Sequence, residues 1–266
     1  MIKIILPLLL ILSCVDIIIK NERSYNSIKL GGGSWIELPY EKIYMSGDTE
    51  ISTRFKNYLS ILNNSFTIQM IFSGDSVSTN DQLSLLSIVN SNEEIIFSLL
   101  REPNQTNSVV LYKDNERVGS YEVDDLDWPN CSEFYLLSIV QDKEQESISI
   151  FINETIVTTI SGSIDNTSKS SISIGGISNS ERTIAQNFWH GYIDEFRIWD
   201  TNLSSESIIF HNSNRDKISE YSSSSYLGNL YGHWDCNLSG SNFNDSLGTS
   251  IYSTDGIVEL SENGTN

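Results

Sequence analysis

Two groups of carboxylates in this 266-residue chain have the types and spacing for chemistry. The first is "YEVDDLDWPN", in which Glu122, Asp124, Asp125 and Asp127 fall within six positions. Clustered carboxylate oxygens suit a hard cation such as calcium. Two carboxyl groups about 5–5.5 Å apart can instead divide the roles of nucleophile and general acid in glycoside hydrolysis. A solvated acidic loop accounts for the same residues without either. The second is a single acid, Asp194, in "GYIDEFRIWDTNLS". Side chains alternate along a strand. Strict alternation aligns Asp194 with Tyr192, Phe196 and Ile198, a face bound for a core, and leaves Ile193, Glu195, Arg197 and Trp199 on the other. A buried carboxylate must find partners. Asp194 is therefore either a hub accepting backbone hydrogen bonds or a ligand to a structural calcium ion, which wants six or more oxygens. Glu195 and Arg197 then form a same-strand surface pair of little energy.

Other residues narrow the chemistry further. His190, His211 and His233 stand apart from any Ser or Cys nucleophile pattern, and the chain has no phosphate-binding glycine loop. These residues point away from an enzyme. Cys131 and Cys236 lack CxxC spacing and companion histidines, which excludes a zinc site, but in an oxidising compartment they could form a disulfide bond. Aromatic rings also bind, by packing on the apolar faces of sugars. Trp35, Trp128 and Trp189 lie near turns and are the ligand-binding candidates, with burial at the rim or in the core as the alternative for each.

The elements that must position these residues are strands. "SFTIQMIFSG", "LSLLSIV", "EEIIFSLL", "SVVLYK", "RVGSYEV", "EFYLLSIVQ", "ESISIFIN", "TIVTTI" and "SISIGG" follow one another at short spacing, with turn signals such as "DNE" and "DKEQ" between them. This pattern predicts an all-β fold of two packed antiparallel sheets. One segment reads as helical before the tail. In "NLSSESIIFHN", Ser204 is a suitable N-cap, Glu206 suits the first turn, and Leu203 can pack on Ile208 as a hydrophobic staple. A short helix should thus cap the sandwich directly after the Asp194 strand.

The chain opens "MIKIILPLLLILSCVD", with Lys3 before an apolar stretch, Ile4 to Leu12, too short to span a bilayer. This reads as a signal peptide over 1–13. Ser13-Cys14 resembles a bacterial lipobox, which would make Cys14 the lipidated N-terminus; the alternative is an ordinary cleaved signal and a secreted protein. Lys and Arg number 16 against 35 Asp and Glu, a formal net charge of −19. Such a chain is a poor partner for nucleic acid phosphates or anionic membrane surfaces, so membrane contact is expected through the lipid anchor alone.

With the strands in place, "FWHGYIDEFRIWDTNLSSESI" resembles the closing signature of the LamG-like (laminin G-like, concanavalin A-like) jelly-roll domains at Phe188, Gly191, Ile193 to Asp200, Leu203, Ser204 and Ile208. "SIKLGGGSWIELP", "SFTIQMIFSG" and "SISIGG" resemble earlier family strands. "EFYLLSIVQDKEQESISIFINETIVTTI" resembles a strand pair that in the family carries Asn-Gly at the turn, where this chain has Asn153-Glu154. "NLYGHWDCNL…NDSLG" resembles a strand that opens many relatives and here closes the chain. The resemblance implies a two-sheet jelly-roll sandwich, core places for Trp199 and Trp234, and a calcium role for an acid at Asp194 with carbonyls of the Gly31–Gly33 turn. Retaining β-glucanases on the related scaffold carry Glu-x-Asp-x-x-Glu; here Glu122, Asp124 and Asp127 have the spacing, but the last residue is Asp.

The expected organisation is a signal over 1–13, a tether over 14–26, the jelly roll over 27–218, and a segment over 219–266 that adds one strand and ends in a frayed tail. The expected role is non-catalytic recognition of a glycan or protein partner at the cell envelope. The alternatives are an adhesive surface protein without a small ligand and a glycan hydrolase.

Overall fold

The computed structural model describes residues 27–30, 35–37, 58–74, 82–90, 92–103, 105, 107–124, 126, 133–165, 171–178, 185–215, 229–234, 242–244, 250–254 and 259–261. In chain order the strands are β1 (Ser27–Leu30), β2 (Trp35–Glu37), β3 (Phe66–Gly74), β4 (Leu83–Val89), β5 (Ile95–Arg101), β6 (Ser108–Lys113), β7 (Glu116–Glu122), β8 (Tyr135–Asp142) and β9 (Ser147–Ile152). They continue with β10 (Thr155–Ser161), β11 (Ser171–Ile174), β12 (Ile177–Ser178), β13 (Ala185–Gln186), β14 (Gly191–Trp199), β15 (Leu230–Trp234), β16 (Asn242–Asn244), β17 (Ser250–Thr254) and β18 (Glu259–Ser261). A 3₁₀ helix over Tyr58–Asn63 precedes β3, and helix α1 spans Ser205–Ser213.

The strands form two antiparallel sheets. The first runs β10-β9-β8-β3-β14-β1-β18, and the second β16-β17-β2-β11-β4-β5-β6-β7. One edge of β14 is bonded to β3 along its length. Its other edge is shared end to end: β1 takes Gly191 to Ile193, and β15 takes Phe196 to Trp199. The segment after residue 219 therefore contributes four strands rather than one, because β17 also pairs with β2 and β18 with β1.

Between the sheets lies the main core. Ile68, Met70 and Phe72 of β3, Leu137 and Ile139 of β8, and Phe196, Ile198 and Trp234 all point into it. Part of each outer face is also covered. On the first sheet α1 packs Ile208, with Leu203 before it, against Val140, Phe151 and Trp199. On the second, Ile177 of the small β12–β13 hairpin packs on Val89, Leu100 and Val110.

Local sequence accounts for the turns and the helix start. Ser204, in extended backbone, accepts the Ser207 N–H at 3.3 Å, and Leu203 shares a cluster with Ile208, as the staple pattern predicts. Glu206 in the first turn is held below the usual carboxylate range by its own backbone N–H and the Ser204 hydroxyl. The two-residue turn Asp114-Asn115 has positive φ at both positions, 51° and 65°, which fits the type I′ hairpin that Asn favours. At Asn153-Glu154 only Asn153 has positive φ, 54°, so this turn is not type I′ and does without glycine. Instead, Asn153 Oδ1 accepts the Leu136 N–H at 2.9 Å, tying the turn to β8.

Candidate functional site

Asp194 sits at a β-bulge. The register of β14 against β3 steps from Asp194↔Ile71 to Phe196↔Met70, so Glu195 is an extra residue, with φ +26°. The insertion reverses the alternation. Ile193, Phe196 and Ile198 enter the core, while Asp194, Arg197 and Trp199 face outward, beneath and beside α1. Strict alternation had aligned Asp194 with Phe196; the bulge places it with Arg197. Asp194 is nevertheless buried, and its Oδ1 accepts the Glu195 N–H at 2.8 Å, holding the bulged peptide.

Asp194 thus holds the amide of the bulged peptide. Among the described residues, no group of three His, Cys, Asp or Glu side chains converges to hold an ion. Calcium needs six or more oxygens, and the Gly31–Gly33 turn, whose carbonyls the calcium reading calls on, lies outside the described residues. Two substitutions separate the readings. Asp194→Asn keeps the acceptor for the Glu195 N–H and should melt close to wild type in calcium or in EDTA. Asp194→Ala leaves that N–H without its cap and should cost about 1 kcal/mol. A chelator-dependent melting point lost in Asp194→Asn would establish a calcium site instead.

Arg197 is not the surface residue expected from alternation. Its side chain is 1 % exposed, and Nη2 donates to both Glu195 Oε2 and the backbone O of Arg215. His233, opposite Arg197 in the register, places Nε2 3.7 Å from the same Glu195 oxygen. The pair is an interior device because α1 and the residues that follow it cover this part of the sheet's outer face.

Around it runs a network that residue type alone did not reveal. Gln69 donates from Nε2 to Ser138 Oγ at 3.0 Å and accepts Trp199 Nε1–H at 3.0 Å. Trp199 stacks on His211 of α1, with centroids 5.2 Å apart at 18°. Thr67 Oγ1 donates to Thr201 O and accepts the Leu203 N–H, both at 2.9 Å, pinning the chain as it leaves β14. The alternating β3 pattern placed Gln69 and Thr67 on one face, and their occurrence among apolar residues was the only signal of a polar layer.

His211 is fully buried, and burial, aided by the nearby Arg197 guanidinium, pushes its pKa from 6.5 down to about 3. The folded form therefore keeps the imidazole neutral where the unfolded chain protonates it. The contribution is fully present above pH 6.5 and is lost as pH falls toward 3. Stability should fall by about 1.4 kcal/mol per pH unit in that window from this group. Urea unfolding at pH 7 and pH 5 should show a loss of about 2 kcal/mol that His211→Phe, which keeps a ring on Trp199, largely removes. An unchanged pH slope in the variant would refute the assignment.

The remaining candidates are scattered. Glu122 ends the edge strand β7 and Asp124 lies in the following turn, both exposed; Asp125 and Asp127 are outside the described residues. Trp189 is a correction. Expected near a turn as a sugar platform, it is 0 % exposed, donates Nε1–H to Ser73 O at 3.2 Å and sits edge-on to Phe72 at 6.1 Å. Its backbone N–H donates to Gly175 O at 2.9 Å, which draws the loop inward. Trp35 begins β2, while Trp128, Cys14, Cys131 and Cys236 lie outside the described residues. Trp199 and Trp234 are buried, in the places the family resemblance implied. His190 is partly exposed beside Gly191.

Comparison with known proteins fits this architecture. A candidate carbohydrate binding protein from Bacteroides ovatus ATCC 8483 has a similar structure, with a TM-score of 0.56 at 14 % identity over 89 % of this chain; the chain spans 60 % of that protein's length. The CBM40 of Ruminococcus gnavus IT-sialidase gives a TM-score of 0.50 at 17 % identity, covering 70 % of this chain and 96 % of that one. Trypanosoma rangeli sialidase gives 0.50 at 14 %, covering 73 % of this chain and 28 % of that one. At such identities the likeness speaks for the fold. Among curated proteins, none matches the chain. The family model described as the concanavalin A-like lectin/glucanases superfamily matches residues 46–209, well over half the chain, and with the sandwich and its signature strand this shows that the chain belongs to that superfamily.

Proposed function

We propose that the protein is a non-catalytic recognition module that binds glycan at the cell envelope. What carries this reading is membership of the superfamily together with the way α1 and the β12–β13 hairpin each cover the central strands of one outer sheet face. Recognition then falls to turns and strand ends, where Trp35 and Trp128 belong in the sequence. Proteins of similar fold described as carbohydrate-binding, from Bacteroides ovatus and Ruminococcus gnavus, support the same substrate class. Hydrolysis has less support. Glu122 and Asp124 are exposed at a sheet edge, open to bulk water rather than enclosed in a site that excludes it.

In this proposal the chain is exported and held at the envelope through lipid on Cys14. Labelling with a palmitate analogue, lost in Cys14→Ser, would test the anchor. Glycan-array binding by the protein tests the function, with Trp35→Ala and Trp128→Ala expected to weaken it. Binding to no glycan, with a protein partner captured by crosslinking instead, would overturn the reading in favour of adhesion. Hydrolysis of a β-glucan abolished by Glu122→Gln would overturn it in favour of an enzyme.

A further inference from the structure

Along one side of the sandwich the two sheets end in neighbouring edge strands, β7 and β10. The two edges are finished differently. β7, "ERVGSYE", carries Glu116, Arg117, Glu122 and a glycine, and Arg117 pairs with Glu102 at 2.8 Å. Charges of this kind keep an exposed edge from pairing with another chain. β10, "TIVTTIS", has no charge, glycine or proline, and six of its seven residues are β-branched. Its residues are exposed or half-buried throughout. Among the described residues β10 pairs with β9 alone, so backbone N–H and C=O groups of alternate residues point away from the sheet. A bulge at Val157 interrupts the strand, and Thr158 to Ser161 pair regularly beyond it.

The outer face beside this edge is apolar as well. Three large hydrophobic side chains are exposed among the described residues, and two of them stand here. Ile156 is 54 % exposed and lies opposite Phe151, which packs beneath α1. Ile209, on α1 itself, is 43 % exposed. Asn212, one turn on from Ile209, donates from Nδ2 to Glu154 Oε1 at 3.2 Å, which turns this flank of the helix toward β10. Ile209 and Ile156 thus border one shelf, with Phe151 at its floor. Charge and symmetry say what fits there. The strip is uncharged in a chain of net charge −19. A cationic partner would be drawn to the carboxylates elsewhere. An uncharged, extended strand is matched by another of the same kind, and β10 meeting its own copy across a two-fold axis supplies one. An axis normal to the sheet also puts both α1 helices on one outer face, so the shelf of one protomer adjoins that of its partner.

We propose that β10 pairs antiparallel with β10 of a second copy of this chain, continuing the first sheet across a two-fold axis and making the protein a homodimer. A junction one strand long buries little area, so the dimer is reversible, with a Kd in about the micromolar range. Pairing presents every turn twice on one body, and weak contacts with a repetitive ligand then reinforce each other. The proposal does not rest on the glycan reading.

Sedimentation equilibrium of the protein at about 50 mM and about 500 mM sodium chloride tests it. A monomer–dimer equilibrium should appear and tighten about threefold at the higher salt, because chains of like charge repel and salt screens them. Thr159→Lys, which brings two ammonium groups together near the axis, and Ile156→Lys should each weaken the dimer about tenfold. Each also lowers the net negative charge, so any association limited by charge alone would strengthen instead. Both residues are exposed, and melting curves confirm the fold of each variant. Ile156→Thr, which stays β-branched, replaces a variant that does not fold and should weaken the dimer about threefold. A protein that is monomeric at both salt concentrations up to about 100 µM overturns the proposal. A dimer that survives both lysine substitutions overturns it too. Loss of the dimer in Val118→Lys, with Thr159→Lys unaffected, would overturn it in favour of the β7 edge.

Discussion

Gly191→Ala should lower stability by about 3 kcal/mol, a fall in melting temperature of roughly 10 °C for a domain of this size. Gly191 has φ +151°, a region that side-chain-bearing residues rarely adopt. A Cβ there would stand 2.1 Å from the backbone O of Ser73 and 2.8 Å from Trp189 Nε1. The first neighbour is the carbonyl that Trp189 uses as its hydrogen-bond acceptor, so relief of the clash would pull that bond apart. Backbone on the β3 side cannot give way cheaply, because Gly191 is paired there with Gly74 and on its other side with Leu30. Thermal unfolding of the purified variant decides the matter, and a melting point within a few degrees of wild type would show that the strand end can shift.

The second large effect is expected at Arg197. Arg197→Ala removes the buried partner of Glu195 and the cation that Arg215 O accepts from, and should cost about 3 kcal/mol, since breaking a buried pair strands the remaining charge. Removing both charges differs in kind. Arg197→Met with Glu195→Gln retains volume and leaves no stranded ion, so the double variant should be less destabilised than Arg197→Ala and near wild type. A double-mutant cycle on denaturant unfolding measures the coupling. Equal losses in the single and double variants would show that packing of the arginine stem, rather than its charge, is what matters there.

The same residue shows where the sequence could and could not be read. The strands were legible because alternation and turn residues mark them, and α1 because Ser204, Glu206 and Leu203 each carry a local start signal. Asp194 was misjudged because one extra residue puts the side chains before it on the opposite face from where strict alternation with those after it would, and Arg197 because α1 and Arg215 cover the outer face on which alternation had placed it. Nothing in "IDEF" advertises that residue: Glu195 is neither Gly nor Asn, the types that usually occupy positive φ. Trp189 was misjudged for another reason. It stands near a turn in the sequence, yet Ser73 O and Gly175 O, both more than ten residues earlier in the chain, draw it into the core.

The shared edge of β14 also bears on how the chain acquires its structure in time. β1 at residues 27–30 must wait for a partner synthesised some 160 residues later, and the rest of that edge stays open until β15, ending at Trp234, exists. Contacts this distant in sequence fold slowly, because a long loop must close before the pairing rewards it. A nascent chain stopped after the signature strand would therefore hold its most family-specific segment with the Phe196–Trp199 half of one side unbonded, and the sandwich can close only when β15 has also been made.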